Sequence, residues 1–195
     1  GLGTGAVQGA LTVVERAGTP LNTVRFNAIN EGAWGNNIRI STVTRDAPNG
    51  RFDVIVYYGG SLDVNIVERF TDLSMANADA RHVEKVINSP TAGSLYVTAT
   101  DLNSATAAPN DMPAVITTQA LTTGADGATP TVTERTVAVS AGGPLDQIEG
   151  LVNVNMPGET NASVLGALNT YATARGGMFA VADSTLGLTA AQAAT

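Results

Sequence analysis

Three consecutive runs decide the fold: NIRISTVTR at 37–45, DAPNG at 46–50 and RFDVIVYY at 51–58. In the first, Ile38 and Ile40 fall on one side and Arg39 and Ser41 on the other. In the last, Phe52, Val54, Val56 and Tyr58 oppose Asp53, Ile55 and Tyr57. A period of two sustained over such runs marks strands with one face more buried than the other. Between them Pro48 presets φ at an early turn position and Asn49-Gly50 supplies positive φ, so the pair reads as a hairpin. A third strand is expected over 62–70 (LDVNIVERF), turned by Gly59-Gly60, completing an antiparallel meander.

Working outward, 11–15, 23–29 and 94–100 read as further strands, and 114–121 as an extended segment. The stretch 79–88 (DARHVEKVIN) differs, because Val83, Val86 and Ile87 form a helical stripe. Ser89-Pro90 ends it, since the residue before proline avoids the helical region. Residues 101–113, rich in Ala, Asn, Ser and Pro, read as a loop. The strongest break is 122–130 (TTGADGATP), with two glycines, a proline and no large apolar residue. The expected organisation is therefore a β-rich sandwich-like domain at 1–122, a linker at 123–130 and a partial α/β domain at 131–195.

Beyond the break, 151–154 is a short apolar strand stopped by Pro157-Gly158. Asn161 can cap a helix in which Val164, Leu165, Leu168, Tyr171 and Ala172 share a face. Arg175 suits its last turn and Gly176-Gly177 its left-handed stop. Residues 178–182 return to an apolar strand, so the segment is a βαβ unit with parallel strands and a right-handed crossover. A parallel sheet needs cover on both faces and more than two strands. That need, the Gly-rich opening without Met at 1–5 and the plain end at 187–195 make the chain read as a segment of something longer. The fold class expected is α+β.

Composition narrows the function. The chain has 195 residues, 44% of them apolar and only 14% charged, with a net charge of -7. Its one lysine is Lys85 and its arginines are scattered, so it lacks the clustered cations of a phosphate-tracking surface and no direct nucleic-acid partner is expected. It has no cysteine, which removes disulfides, thiolate nucleophiles and Cys-ligated metals together. No run approaches the ~18 residues of a membrane-spanning helix, and no signal peptide is visible.

The search for chemistry returns little. His82 is the one histidine, read as a surface or partly buried residue in mid-helix next to Val83, and no G-x-S-x-G elbow exists to serve it. One His without Cys makes no conventional zinc or iron site. Asp101, Asp111 and Asp126 lie apart and none starts a calcium-loop pattern. Asp126-Gly127 reads as a turn. Gly142-Gly143 and the glycines of 1–5 are incomplete phosphate fingerprints, read as turn and linker. Asn161-Ala162-Ser163 matches a glycosylation acceptor but is explained by the helix cap. No catalytic, cofactor-binding or metal residue is assigned, no cofactor or small-molecule ligand is expected, and no hydrolase activity.

Seven stretches together resemble one family. Residues 28–40 (AINEGAWGNNIRI) are similar to the "A-x-x-x-G-x-W-G-N-x-I-x-V" segment of contractile-tail sheath proteins, found in bacteriophages and related injection machines. Residues 52–56, 67–74 (VERFTDLS) and 79–89 (DARHVEKVINS) resemble the family's "F-x-L-x-V", "E-x-F-x-N-L-S" and "D-x-R-Y-V-x-x-V-I-N-x-x-S". Residues 121–127 (LTTGADG) are similar to "L-x-G-G-x-D-G", and 151–157 and 171–183 (YATARGGMFAVAD) to "N-x-x-x-x-P-G" and "Y-A-x-x-R-x-x-x-F-A-x-V-D".

The resemblance spans about residues 24–184. It implies a sandwich-like region followed by the start of a subtilisin-like, non-catalytic α/β domain. It implies a structural subunit that self-assembles into stacked hexameric rings around an inner tail tube, contacts a baseplate, and contracts to drive the tube through a target envelope. The implied location is the virion tail, assembled in the bacterial host cytoplasm. Trp34 is then expected as a buried anchor between Gly32 and Gly35, and Arg69 and Arg81 as partners of carboxylates on neighbouring copies. A β-rich extracellular, adhesin-like binding module is the alternative, and the βαβ unit is what such a module would lack.

Overall fold

The computed structural model describes residues 5–150 and 152–181. The expectations for residues 1–4, 151 and 182–195 lie outside the described residues. The fold is mixed, of the α+β class, and the chain divides into two compact units, Gly1–Ala128 and Thr129–Thr195.

In the first unit β1 (Ala10–Val14), β2 (Asn22–Ala28) and β6 (Val97–Asp101) form an antiparallel sheet in the order β1-β2-β6. A second antiparallel sheet has the order β5-β4-β3-β7, from β3 (Ile38–Asp46), β4 (Arg51–Tyr58), β5 (Ile66–Leu73) and β7 (Ile116–Ala120). The hairpin expected from the alternating runs is β3–β4, with Ile40 opposite Val56 and Thr42 opposite Val54. One core joins both sheets: Leu11, Val24 and Phe26 from the first, Ile38, Phe52 and Leu73 from the second. Helix α1 (Val83–Ile87) contributes Val83 and Ile87 to the same core.

Three expectations are corrected here. Tyr58 is exposed and Tyr57 is buried, because the β4–β5 register slips between Val56 and Tyr57 and reverses the alternation at the strand end. The third strand starts at Ile66, after a short 3₁₀ turn over Asp63–Asn65. Helix α1 is half the expected length: residues 79–81 form a bend and turn, and His82, bridged to Ser74, is the cap residue of α1.

Strand β7 is held unusually. Thr118 has φ 42, a left-handed conformation that a β-branched residue rarely adopts. The register with β3 slips between Ile40 and Thr42. Side chains of β3 satisfy the displaced backbone: Ser41 Oγ accepts the Thr118 N–H (2.8 Å), Thr42 Oγ1 accepts that of Ile116 (3.1 Å), and Arg39 donates to the Thr118 carbonyl (3.1 Å). Buried Ser41 and Thr42 are thus backbone ligands for a bulge, which is why polar residues occupy a core strand.

In the second unit β8 (Val152–Asn155) and β9 (Met178–Val181) pair in parallel, with α3 (Ala162–Arg175) between them in sequence. Asn161 caps α3 through its side chain, accepting the N–H groups of Ser163 (3.0 Å) and Val164. The buried face of α3 is Val164, Leu168, Tyr171 and Ala172, as the spacing predicts. A further helix, α2 (Val132–Ala138), was not expected. Its start carries a capping box in which Thr131 and Glu134 serve each other's backbone N–H. Among the described residues no helix is long and apolar enough to cross a membrane.

Candidate functional site

The residues singled out by sequence gather in two places in the first unit. The first is a node of close backbone approach. A Cβ on Gly35 would lie 2.8 Å from the Ala28 Cβ, and one on Gly124 would lie 2.7 Å from the Gly32 carbonyl. Gly9 packs against Gly35, where a Cβ would stand 3.0 Å from its carbonyl carbon. Gly32 has φ 129 and leaves room for the Trp34 ring. Across this node Asn36 takes the Gly124 N–H (2.9 Å) and donates to the Gly124 carbonyl (2.8 Å). The Asp126 carboxylate accepts the Ala33 N–H at 2.9 Å and so caps the 3₁₀ turn over Ala33–Asn37.

This geometry corrects the linker expected at 123–130. Ala10 and Thr122 exchange backbone hydrogen bonds, as do Val7 and Ala125. The stretch through Asp126 is therefore part of the first unit, and only the residues after it are free of these links. Small side chains made the segment read as loose chain, yet its cohesion is in the backbone, which needs no large side chain. Asp126 is a structural acceptor rather than the expected turn residue alone.

Trp34 is half-buried rather than a buried anchor. Its indole N–H donates to the Glu31 carbonyl (3.0 Å), and its ring lies 6.5 Å from that of Tyr58, which lies 5.6 Å from Tyr96. The slip at the end of β4 that turns Tyr58 outward creates this aromatic row.

The second place is polar and buried. His82, only 2% exposed, meets Asp101 with Nε2 and Oδ2 3.0 Å apart. It is neither mid-helix nor at the surface, because α1 starts one residue later and packs against β6. Asp101 ends β6, and Thr23, Met75, Asn77, Asn103, Ser104 and Asp111 join it around a cavity of about 190 Å³. Beside it Glu15 is 1% exposed and accepts hydroxyl bonds from Ser104 and Thr106. Burial works to raise the Glu15 carboxyl, but those hydroxyls and the backbone outweigh it and hold it below its ordinary value. Asp111 goes the other way: burial, then the charges of Asp101 and Glu15, push it up. Sequence reasoning placed Asp101 and Asp111 in one loop but missed Glu15, which carries no motif and is recruited only when β1 meets 104–106.

Chemically this is a His–Asp pair without the rest of a triad. Among the described residues no side-chain hydroxyl is bonded to the His82 ring. No group of three or more His, Cys, Asp or Glu is placed to hold a metal among the described residues. The Arg81 side chain donates to the Thr71 carbonyl, and Gly142 forms a turn whose N–H is taken by Asp146.

No protein-family model matches the chain, and no curated protein matches it.

Proposed function

We propose that the chain is a structural subunit of a contractile tail sheath, assembling as stacked rings around an inner tube and contracting to drive the tube through a target envelope. The observation that carries the reading is the glycine node. Asn36 and Gly124, which belong to two separate resemblance stretches, are 88 residues apart in sequence and bonded in both directions. The residues that carry the likeness thus serve one another as scaffold, as expected of a subunit whose work is shape rather than reaction. On this reading the second unit is the beginning of a subtilisin-like fold that has no catalytic role. The parallel β8–α3–β9 unit favours the sheath over a β-rich adhesin-like module.

Contraction would draw on interfaces with two stable arrangements, repeated around each ring, and not on a reacting group. The partners proposed are further copies of the chain, an inner tail tube and a baseplate, and the location proposed is the virion tail. Electron microscopy of the complete gene product tests this. Striated tubes or stacked rings are the expected result. Dispersed particles at every concentration, together with binding to a cell-surface receptor, would replace the sheath with the adhesin.

A further inference from the structure

Apart from Arg16, Arg25 and Arg39, the cations of the first unit fall into two sets. Arg45 and Arg51 pair with Asp53 (2.7 Å) and Asp79 (2.6 Å). Arg69, Arg81 and Lys85 make no ion pair with a carboxylate among the described residues, yet all three line one shallow groove of about 420 Å³. Phe70, Val86 and Ala92 supply its apolar lining. The groove runs between β5, an edge strand of its sheet, and α1 with the loop after it.

Two of these cations are positioned by carbonyls, which orient them without neutralising them. Arg81 donates to Thr71, and Lys85 to Asn77 (2.7 Å) and Asp79 (3.2 Å). The neighbouring acids are engaged elsewhere. Glu68 accepts the Ser94 hydroxyl and the Leu95 N–H, and Glu84 accepts the Asp101 N–H. Asp79, whose charge Lys85 also feels, is paired with Arg51. In a protein of net charge -7 this groove thus gathers three cations, none of them ion-paired among the described residues.

The complementary shape precedes the same strand. In the turn before β5, Leu62 is 68% and Val64 86% exposed, with Asp63 between them. The Asn65 N–H bonds the Leu62 carbonyl (2.8 Å), and the Asn65 side chain lies over Gly60, where a Cβ would meet it at 2.5 Å. The turn is thus a fixed knob, apolar on its flanks and acidic at its centre.

We propose that the 62–64 knob of one copy docks into the Arg69–Arg81–Lys85 groove of a second copy. Asp63 meets the cations, and Leu62 and Val64 cover Phe70, Val86 and Ala92. Opposite charge selects the register, and burial of two highly exposed apolar side chains adds the attraction. Within one copy the knob and the groove are held apart, because the extended run from Ile66 to Arg69 covers about 10 Å at about 3.3 Å per residue. The contact is therefore heterologous: it passes from copy to copy and closes into a ring when the rotation per step allows. The inference rests on the reading of the chain as a self-assembling subunit, and names the contact.

The chain has no cysteine, so disulfide trapping has no background. The full chain carrying Ser61→Cys is mixed with the full chain carrying Ala92→Cys under mild oxidation. Cross-linking about tenfold faster than for Ser61→Cys with exposed Val115→Cys is expected, since docking raises the local thiol concentration. Asp63→Lys in the first chain, or Arg69→Glu in the second, should bring the rate down to that of the control. The two together should restore it, which excludes misfolding as the cause of either loss. A rate equal to the control, or no restoration, overturns the contact. Tubes by microscopy without this cross-link would overturn the contact and leave the sheath reading intact. The cross-link without tubes would leave the contact and remove the sheath.

Discussion

The two units hold themselves together by different means. In the first, one apolar cluster runs from Leu11 to Leu121 and draws on both sheets and α1. In the second, the buried cluster is Val139, Val164 and Leu168, and much of the cohesion is polar. Asn161 caps α3, the Tyr171 hydroxyl donates to Asp146, Arg175 donates to the Leu145 carbonyl (2.8 Å), and Arg135 pairs with Glu159 at 3.1 Å. The Tyr171 hydrogen bond, together with the Gly142 N–H, holds the Asp146 carboxyl below its ordinary value, and the same bond raises the Tyr171 phenol. The lesson is that a short chain with little to bury relies on satisfied helix ends, whereas two facing sheets rely on area.

The largest test of that contrast is truncation of a core side chain in each unit. Phe52→Ala, at 0% exposure, should cost about 3–5 kcal/mol, and Leu168→Ala, in the thinner cluster, near the lower end of about 2–5 kcal/mol. Chemical denaturation of the two variants decides it, and a greater loss at Leu168 would break the comparison. Next comes Gly35→Ala, whose methyl has nowhere to go between Ala28 and Gly9, with an expected cost of about 1–3 kcal/mol. An unchanged melting temperature would mean that the node relaxes freely. Asn161→Ala should cost about 1 kcal/mol, and amide exchange should place the loss in the first turn of α3.

The smallest effect sharpens the electrostatic side. The Arg81 N–H first, and then the Arg51 side chain, hold the Asp79 carboxyl below its ordinary value. A carboxyl lower in the folded than in the unfolded chain adds stability above its unfolded value, and loses it as pH falls through the folded one. Asp79→Asn should therefore flatten the stability profile below about pH 4, with little change in slope above it. Thermal melts across the acid range check this, and an unchanged profile would reassign the acid sensitivity to the other depressed carboxyls, Glu15, Asp53 and Asp146.

The hairpin, the α3 face and the parallel pair were legible because each depends on near neighbours in sequence. Pro48-Asn49-Gly50 fixes its own turn, and Asn161 its own cap. Helix α2 was legible in principle from Thr131 and Glu134, but its threonine-rich body hides the stripe. His82, Glu15 and the bulge at Thr118 were not legible. Each is defined by a partner more than a strand away: Asp101, Ser104 with Thr106, and Ser41 with Thr42. Tyr58 was misread because one slipped pairing reverses every side chain beyond it.

The segment from Pro113 to Asp126 alternates between sheets: Ala114 bonds Val14 of β1, 116–120 pair with β3, and Thr122 and Ala125 return to Ala10 and Val7. In a nascent chain this is the last thread through the seam. While residues before 113 emerge from the ribosome, β1 and β3 each wait with an open edge, and an open edge is an invitation to wrong partners. Closure comes only once Asp126 is clear of the exit tunnel, so the speed at which the residues behind it are synthesised sets how long the first unit stays vulnerable.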